Sequence, residues 1–561
     1  MTVGERLRQH VERSPRQIAI RLQHAGRADA AISYDDLWQG ALRYARAYQR
    51  ERLAPGEVVI LILQHGEDLV YAFWGAILSR VVPSIMPFLT EKLSPEQYRN
   101  DLKALISVTR PAAIVTYPEF ETQVREAVGS DRVVRAVISA ASVGATTGPQ
   151  PGEIGMPPRR PEEIVLLQHS SGTTGLQKGV ALSHRAVLNQ LEAYGQALHL
   201  RADDVIASWL PLYHDMGLIA GFLLPILTGV PLVLSSPFDW VRAPWRLLLA
   251  VSEYRGTISW LPNFAYNFMA QKVRDRDLEG VELSSWRAVI NCSEPVRWES
   301  HRAFFERFEN HGLRWRSLQT CYAMAENVFG VTQSDLDEEP ALEDIDRVAF
   351  MESHAARPAT GGRASMRLMS SGRPLSNTRI QILDAHGAPT PDATVGEIAL
   401  QSDCMLTGYY NRPDADKKAF RNGWYLTGDY GYVSHGELYV AGRKKDMIIV
   451  GGKNIYPQDL EALSYEVAGI HAGRSVAFGV YDEELGTEDV CMVAETDSDD
   501  EAQQQRLADL VRQHVTRSSA VALRHVRVVG PKWILKTSSG KTARAANRDK
   551  FLRELADAGH R

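Results

Sequence analysis

Cysteine is scarce in this sequence. Four of the 561 residues are cysteines, and Cys292, Cys321, Cys404 and Cys491 lie far apart without forming a CxxC pair. This spacing indicates neither a disulfide framework nor a zinc site, so a reducing compartment fits best. The start of the chain is charged throughout and lacks the apolar stretch of a signal peptide. We therefore expect a cytoplasmic protein.

Long hydrophobic runs and excess positive charge are missing as well. The most apolar run, Leu218 to Ser235, is interrupted by Pro225, Gly229 and Pro231. It is too short and too broken to span a bilayer, and we expect it to be buried core. The net charge of -5 provides no global basic field. We expect no transmembrane segment and no nucleic-acid partner.

Short β-branched runs alternate with helical patterns from about residue 58. VVILILQ, AAIVTY and VVRAVIS are examples of the runs, and DLVYAFWGAILSR is a helical pattern between them. This alternation is typical of βαβ units, so we expect an α/β fold with a largely parallel sheet. The stretch from Ala141 to Pro161 is rich in Gly, Pro, Ser and Thr, which predicts a surface loop.

The pattern of predicted secondary structure changes after about residue 370. Short strand patterns separated by Gly, Pro and Asp turns predict a small β-rich subdomain over about 370–441. A charged junction, GRKKD (442–446), follows, and beyond it strands and helices alternate again. We expect domains over 1–441 and 446–561.

A loop of glycines and hydroxylated residues, QHSSGTTGLQKG (168–179), follows the apolar strand pattern IVLLQ. Glycines let the backbone approach a polyphosphate, and backbone N–H groups with Ser and Thr hydroxyls surround it with donors. A Walker A loop is the first alternative, but counting from Gly172 puts Gln177 where its second glycine belongs. A second candidate, GKT (540–542), fails because Leu535 stands at the first glycine position. The loop is followed by a strand-like VAL and by Ser183, a plausible helix N-cap.

At this loop the chain resembles the adenylate-forming superfamily of acyl-CoA synthetases, fatty acyl-AMP ligases and peptide-synthetase adenylation domains. Further motifs match in the same order: YAMAE (322–326), YLTGD (425–429), GRKKD (442–446) and KTSSGK (536–541). The chain departs from the family pattern at Gln177, where proline is usual, and at Ala323, where glycine is usual. The resemblance covers nearly the whole chain. It implies a large N-terminal domain of parallel and mixed sheets wrapped by helices, and a small mobile α+β C-terminal domain.

The resemblance also implies which residues bind ATP and Mg²⁺. Glu326 would hold Mg²⁺, an ion that prefers oxygen ligands shared between carboxylate and phosphate. Asp429 would accept hydrogen bonds from the ribose hydroxyls, with Arg443 nearby. The implied nucleotide site comprises Ser170, Ser171, Gly172, Thr173, Thr174, Gly175, Lys178, Ser293, Glu294, Pro295, Cys321, Tyr322, Ala323, Met324, Asp429 and Arg443.

The same resemblance implies roles for two lysines, Lys541 and Lys445. Lys541 would bridge the substrate carboxylate and the α-phosphate, because a cation offsets the charge that accumulates in the transition state. Lys445, within the hinge 442–445, would be the point about which the C-terminal domain rotates.

Several stretches resemble the fatty acyl-AMP ligase branch: LPLYHDMGL (210–218), PNFAY (262–266), NCSEPV (291–296) and IYPQDLE (455–461). They imply that His214 lies near the acyl entrance as a catalytic residue. They also imply an acyl pocket with Trp260, Asn263, Phe264, Asn291 and Cys292 as candidates.

The sequence separation between Glu326 and Gly372 also supports the resemblance to the fatty acyl-AMP ligase branch. Glu326 and Gly372 are 46 positions apart, roughly twice the separation that the resemblance implies for a typical acyl-CoA synthetase. The extra residues include SDLDEEPALEDID, which is acidic and loop-like. They stand where fatty acyl-AMP ligases carry an insertion that impedes domain rotation and disfavours transfer to CoA.

The expected reaction joins a carboxylic acid, most simply a fatty acid, to AMP from ATP and then passes the acyl group to a carrier thiol. About twenty residues follow Lys541, so we expect an acyl carrier protein to act in trans. An acyl-CoA synthetase or an aryl-acid ligase is the nearest alternative. A non-catalytic acyl or nucleotide sensor would be expected to lack Lys541, Glu326 or Asp429, and all three are present.

Overall fold

The computed structural model describes residues 1–88, 95–129, 133–143, 160–170, 178–360, 365–450, 453–482, 487–519, 521–537 and 540–559. Most of the phosphate-loop prediction, from Ser171 to Gln177, lies outside these residues. So does most of the loop predicted over Ala141 to Pro161, although Ala140–Val143 forms a helical turn.

Two large sheets form the centre of the molecule. The first contains nine strands: β1 (Ile18–Leu22), β2 (Ala30–Ser33), β9 (Ile206–Ser208), β10 (Leu232–Leu234), β11 (Ile258–Leu261), β12 (Ala288–Asn291), β13 (Leu318–Ala323), β14 (Gly330–Gln333) and β17 (Arg373–Pro374). Their order is β17-β14-β13-β12-β11-β9-β10-β1-β2, parallel from β13 to β1 and antiparallel at both edges.

The second sheet contains seven strands: β3 (Val58–Ile62), β4 (Val82–Ile85), β5 (Ala113–Thr116), β6 (Ala136–Ser139), β7 (Ile164–Ser170), β8 (Lys178–Ser183) and β20 (Gly408–Tyr409). Their order is β20-β8-β7-β4-β3-β5-β6. The strand that precedes the phosphate loop, β7, pairs antiparallel with β8, which follows the loop. Both sheets are therefore mixed, as the α/β expectation required.

Three smaller groups of strands follow. A five-stranded sheet, which confirms the β-rich subdomain, contains β18 (Thr378–Leu383), β19 (Gly396–Ser402), β21 (Phe420–Arg421), β22 (Trp424–Ser434) and β23 (Glu437–Arg443). The C-terminal part has a pair, β24 (Ile448–Val450) and β25 (Lys453–Ile455), and a three-stranded sheet, β26 (Ser475–Asp482), β27 (Thr487–Glu495) and β28 (Leu523–Val529).

The helices cover these sheets. They are α1 (Val3–Arg13), α2 (Tyr34–Arg50), α3 (Glu67–Leu78), α4 (Pro95–Thr109), α5 (Glu121–Val128), α6 (Ala140–Val143), α7 (His184–Ala197), α8 (Leu224–Thr228), α9 (Pro237–Arg242), α10 (Trp245–Tyr254), α11 (Asn263–Lys272), α12 (Trp298–Phe308), α13 (Arg347–Ser353), α14 (Pro413–Ala419), α15 (Pro457–Ser464), α16 (Glu501–Ser519) and α17 (Arg544–Gly559).

Local chemistry explains where some helices begin and how closely they pack. Ser33 and Asp36 form a capping box at the start of α2, and Ser183 caps α7 as its sequence predicts. Helices α2 and α3 pack tightly because Gly75 faces α2, where an added Cβ would lie 2.7 Å from the Ala41 carbonyl oxygen.

The apolar run at Leu218 lies in the core, as expected. Residues Met216–Leu223 form a π-helical coil that is buried throughout and continues into α8. Within the described residues, no helix is long and apolar enough to cross a membrane.

The insertion between Glu326 and Gly372 is more ordered than its sequence suggests. The prediction of a loop for SDLDEEPALEDID is wrong in its second half, because LEDID forms β15 (Leu342–Asp346), which pairs antiparallel with β16 (Ser365–Met369). Helix α13 follows β15 directly. Ile345 is buried, and burial of this side chain with strand pairing outweighs the acidic composition.

Candidate active site

The carboxyl ends of three neighbouring parallel strands define one side of the candidate site. Strands β11, β12 and β13 run parallel in adjacent positions. Asn291 ends β12, Cys292 follows it, and Cys321 lies in β13. Ligands of α/β sheets bind at such carboxyl ends. The candidates from NCSEPV and YAMAE therefore come together here.

Asp429, Arg443 and Tyr322 form a polar cluster on the adjoining edge. Asp429 of β22 is directly opposite Arg443 of β23, with Oδ1 3.6 Å from the arginine Nε. The Tyr322 hydroxyl donates to Asp429 Oδ2 at 2.6 Å. Burial, and then the negative charge of Asp429, raises the pKa of Tyr322 well above its ordinary value. The tyrosine therefore stays protonated as a donor, next to a carboxylate with the two oxygens that a vicinal diol can donate to.

Glu326 and Lys178 are linked through Tyr409. The Tyr409 hydroxyl donates to Glu326 Oε1 at 2.9 Å, and Lys178 Nζ lies 4.6 Å from the centre of the Tyr409 ring. Burial raises the pKa of the Glu326 carboxyl, an effect that the Tyr409 hydrogen bond partly offsets. Ser170 pairs with Lys178 across β7 and β8. The phosphate loop thus starts and ends beside this carboxylate.

The Glu326 carboxylate fits a Mg²⁺ ion that is shared with phosphates. Tyr409 donates to Oε1 and not to Oε2, and a half-buried carboxylate at raised pKa gains from a cation. The described residues contain no group of three or more His, Cys, Asp or Glu side chains that could hold a metal by themselves. An ion here would therefore take its remaining oxygens from the nucleotide or water.

Lys541 reaches the same site from the C-terminal part of the chain. Burial, and then the Arg443 charge, lowers the pKa of Lys541, while the charges of Asp215 and Glu294 oppose this shift. An added Cβ on the neighbouring Gly540 would be 3.6 Å from the Phe264 ring. The segment around Gly540 and Lys541, called the lysine loop below, therefore packs against the start of α11 in the N-terminal part of the chain.

His214 lies beside Lys541 on the segment that leads into the π-helical coil. Burial, and then the Lys541 charge, lowers the pKa of His214 to about 3, so its ring is neutral near pH 7. Its Nε2 is buried and has no hydrogen-bond partner among the described residues. Burial raises the pKa of the next residue, Asp215, although Lys541 opposes this.

The SEP turn connects the site to α11. Ser293 has a left-handed φ of 72°, which is uncommon outside glycine, and Pro295 follows Glu294. Glu294 Oε2 accepts the Phe264 backbone N–H at 2.9 Å. The side chain of Glu294 thus fixes the start of α11 while its charge faces Lys541.

The acyl-pocket candidates occupy two environments. Asn263 Oδ1 accepts from Asn291 Nδ2 at 3.0 Å, so these two form a polar pair. Phe264 packs edge-on against Trp209 and Trp240, whose rings stack with centroids 3.6 Å apart. Trp260 is fully buried and donates from Nε1 to the Tyr194 hydroxyl at 2.7 Å.

The remaining predicted residues flank these groups. Cys292 and Cys321 are buried free thiols, while Ala323 and Met324 are half-buried. Lys445 lies in a 3-10 turn, Lys444–Asp446, next to Arg443. Burial, and then the Arg443 charge, lowers the pKa of Lys445.

Sequence reasoning missed Tyr409, Asp215 and the stacked pair Trp209 and Trp240. Asp215 directly follows His214 in the stretch LPLYHDMGL (210–218), so a charged residue next to the histidine could have been found from the sequence. Tyr409 is 83 positions from Glu326, so no local sequence pattern predicts the contact between them.

Comparisons with known proteins identify the class. Residues 7–410 match the AMP-binding enzyme family model, and the chain belongs to this family. It is 28% identical over 564 residues to the medium-chain fatty acid–acyl-carrier-protein ligase JamA of Moorena producens, covering 96% of this chain and 92% of that protein. It is also 28% identical to the long-chain fatty acid–AMP ligase FadD26 of Mycobacterium marinum, covering 89% of this chain and 87% of that protein.

A solved structure is similar over the whole length. A structure from a study of fatty acyl-adenylate ligases from E. coli and L. pneumophila superposes with a TM-score of 0.91 at 28% identity, covering 99% of this chain and 98% of that one. This likeness confirms the expected fold class. The protein is an enzyme of the ligase type, and the resemblance seen in its motifs is correct.

Proposed function

We propose that this protein uses ATP and Mg²⁺ to convert a fatty acid into an acyl-adenylate and then transfers the acyl group to a carrier protein's phosphopantetheine thiol. In the first step a carboxylate oxygen bonds to the α-phosphorus and the bond to pyrophosphate breaks. In the second step the thiol displaces AMP. The observation that carries this proposal is the cluster of Asp429, Arg443 and Tyr322 in the same site as the start of α11, against which Gly540 of the lysine motif packs.

Lys541 is the proposed catalytic cation. Two anions meet when a carboxylate attacks a phosphate, and a cation held in a half-buried site stabilises the charge that develops between them. Burial, and then the Arg443 charge, lowers the pKa of Lys541, and the charges of Asp215 and Glu294 offset only part of this effect. An incoming carboxylate and α-phosphate would compensate that cost.

The proposed nucleotide contacts are assigned from the residue clusters of the candidate active site. Asp429 and Arg443 would bind the ribose, and the Tyr322 ring would lie by the adenine. The loop Ser170, Ser171, Gly172, Thr173, Thr174, Gly175 and Lys178 would surround the phosphates. Residues of the SEP turn and the end of β13, namely Ser293, Glu294, Pro295, Cys321, Ala323 and Met324, would border the AMP moiety.

Glu326 would hold Mg²⁺ through Oε2, with Tyr409 fixing the orientation of the carboxylate. When bound, Mg²⁺ neutralises phosphate charge and orients the leaving pyrophosphate. The part played by Glu326 is to keep a charged oxygen at the end of the phosphate loop.

The acid would enter past His214 and lie along the strand ends. A neutral His214 ring offers one nitrogen donor and one acceptor without adding a second cation beside Lys541. Asn263, Phe264, Asn291, Cys292 and Trp260 remain the proposed acyl-pocket residues. The apolar surroundings of Phe264 suit a hydrocarbon tail.

The choice of a carrier protein over CoA depends on the insertion. Arg347 of α13 donates to the Ser518 carbonyl at 3.0 Å, and Glu352 pairs with Lys453 at 2.5 Å. The Phe350 and Tyr456 rings lie 5.7 Å apart. These contacts join the insertion to the C-terminal part, and a rotation about the proposed hinge at 442–445 would have to break them.

The proposed domains remain 1–441 and a mobile 446–561. Support comes from a separate hydrophobic cluster in the C-terminal part, with Val511 and Met492 at its centre. The cytoplasm is the proposed compartment because all four cysteines are free.

The test is a pyrophosphate-release assay with ATP, Mg²⁺ and a panel of fatty and aromatic acids, with CoA or a phosphopantetheinylated carrier protein as acceptor. We expect release with fatty acids and acyl transfer to the carrier. Strong CoA turnover would refute the carrier assignment in favour of an acyl-CoA synthetase. Preference for aromatic acids would indicate an aryl-acid ligase, and no release with any acid would refute the enzyme proposal.

A further inference from the structure

Helix α15 connects the lysine loop to the large part of the molecule. It carries two acidic side chains, Asp459 and Glu461, that bind arginines from different parts of the chain. Asp459 pairs with Arg297, which follows the SEP turn, and Glu461 pairs with Arg544, three positions after Lys541.

The first contact ties α15 to the acyl-pocket candidates. Arg297 Nη2 and Asp459 Oδ1 are 3.0 Å apart, and each side chain is 23% exposed. The backbone N–H of Arg297 donates to Asn263 Oδ1 at 3.2 Å, and the same oxygen accepts from Asn291. The position of Arg297 is therefore fixed from the pocket side by Asn263.

The second contact ties α15 to Lys541. The Arg544 guanidinium donates to Glu461 and to the Ala477 carbonyl, and its Nε lies 3.9 Å from Asp446 Oδ2. Glu461 is 7% exposed and also accepts the Ala477 backbone N–H at 2.8 Å. Arg544 and Glu461 form a buried ion pair, and loss of either partner would leave an uncompensated charge that is costly. The stretch from Lys541 to Arg544 is thus anchored to α15.

We propose that Arg297 and Asp459 are positioning residues that couple the acyl pocket to Lys541 through α15. The pair holds the lysine loop against the start of α11 during adenylate formation. A misfit in the pocket moves Asn263, shifts Arg297 and withdraws the cation from the reacting phosphate. This inference rests on the proposed function, because it assigns a role within that reaction.

The experiment compares Arg297→Gln and Asp459→Asn with the wild-type chain. The rate of pyrophosphate release is measured with the best acid of the panel, with hydroxylamine present to trap the adenylate. We expect kcat to fall about ten- to a hundredfold, the range for losing a charged hydrogen bond at one step. The KM for ATP should change by less than about threefold because Asp429 and Arg443 are untouched.

Asp275→Asn is the matched control. Asp275 accepts from Arg307 at 2.7 Å, but it is 96% exposed and lies within the large part. The control should keep the wild-type kcat. The charge-swapped double variant, Arg297→Asp with Asp459→Arg, should recover at least part of the loss in kcat, which shows that the ion pair and not either side chain alone is responsible. Thermal unfolding of each variant separates loss of fold from loss of positioning.

Coupling to Lys541 is tested by adding Arg297→Gln to Lys541→Ala. If Arg297 acts through the lysine, the second change lowers the residual rate no further. Independent, additive losses would overturn the inference, and so would a wild-type kcat in folded Arg297→Gln and Asp459→Asn. Absence of acid-dependent pyrophosphate release by the wild-type chain would instead refute the proposed function itself.

Discussion

Single residues determine the charge balance of the site. Lys541 and Arg443 bring positive charge, whereas Asp215, Glu294 and Glu326 bring negative charge, and the pKa values of Lys541, Asp215 and Glu326 shift toward their neutral forms. A lowered lysine pKa next to raised carboxyl pKa values is common at catalytic centres, because burial disfavours charged groups until a substrate binds.

Replacing Lys541 with alanine should leave only a small residual rate of adenylation. We expect at least a hundredfold loss of pyrophosphate release, the scale for removing one charge-stabilising group. The circular dichroism spectrum and melting temperature should match the wild type, since Lys541 is half-buried on a loop. Adenylation at the wild-type rate would refute the role given to this lysine.

Glu326→Gln should weaken the response to Mg²⁺. The amide keeps the shape of the side chain and can still accept from Tyr409, but it loses the charge on Oε2. We expect the Mg²⁺ concentration at half-maximal rate to rise about tenfold or more. Tyr409→Phe, which keeps the carboxylate, should give a smaller rise. An unchanged Mg²⁺ dependence would contradict the metal assignment.

Buried histidines should make the fold sensitive to acid. His301 is fully buried against Tyr266, neither ring nitrogen has a partner among the described residues, and burial lowers its pKa to about 3. The unfolded chain takes up the proton near pH 6.5, so stability is lost as pH falls below that value toward 3. At pH 5 this costs about 2 kcal/mol.

His301→Phe removes that titration and keeps an aromatic ring beside Tyr266. We expect the drop in melting temperature between pH 7 and pH 5 to be smaller in this variant than in the wild type. An equal drop in both proteins would show that His301 does not contribute.

Many residues of the candidate site could be proposed from sequence because their motifs are contiguous. Asp429 and Lys541 each stand within a short recognisable stretch. The partners that set their environment do not, since Tyr322 meets Asp429 across 107 positions and Arg297 meets Asp459 across 162. Only packing of distant elements creates these pairs.

At the scale of elements, the hydrophobic pattern of the sequence predicted the strands well. The acidic composition of the insertion, in contrast, led to the wrong prediction of a loop. VVILILQ and AAIVTY became β3 and β5 as expected. The acidic LEDID became β15 because its partner β16 supplies hydrogen bonds and because Tyr432 donates to Glu343 at 2.8 Å. Neither partner can be read from the segment itself.

Weakening the insertion's contacts should permit CoA to act as acceptor. The triple variant Arg347→Gln, Met351→Ser, Glu352→Gln removes three contacts of α13 with the C-terminal part and leaves the contact of the buried Phe350 with Tyr456 in place. We expect acyl-CoA formation to rise at least about threefold with adenylation unchanged, because single exposed pairs contribute little and three contacts are lost together. Acyl-CoA is measured by chromatography.

Asp337→Asn is the control within the same insertion. Asp337 is 78% exposed and faces His199 rather than the C-terminal part. It should leave acceptor choice unaltered. If the triple variant uses CoA no better than this control, the insertion does not govern the acceptor.

At the scale of the whole molecule, the C-terminal part has its own hydrophobic cluster and meets the large part through polar pairs, aromatic packing and the lysine loop. Interfaces of this composition permit domain motion. The structure places Gly540, next to Lys541, against Phe264 at the start of α11, and this placement supports the role proposed for the lysine.

The most direct measurement follows the oxygen atoms of the acid. Wild-type protein is incubated with ATP, Mg²⁺ and a fatty acid labelled with ¹⁸O in both carboxylate positions, followed by hydroxylamine or carrier protein, and AMP is analysed by mass spectrometry. Attack of the carboxylate on the α-phosphorus predicts AMP carrying one ¹⁸O, with unlabelled pyrophosphate. Acid-dependent ADP with labelled phosphate, or AMP without label, would contradict acyl-adenylate formation.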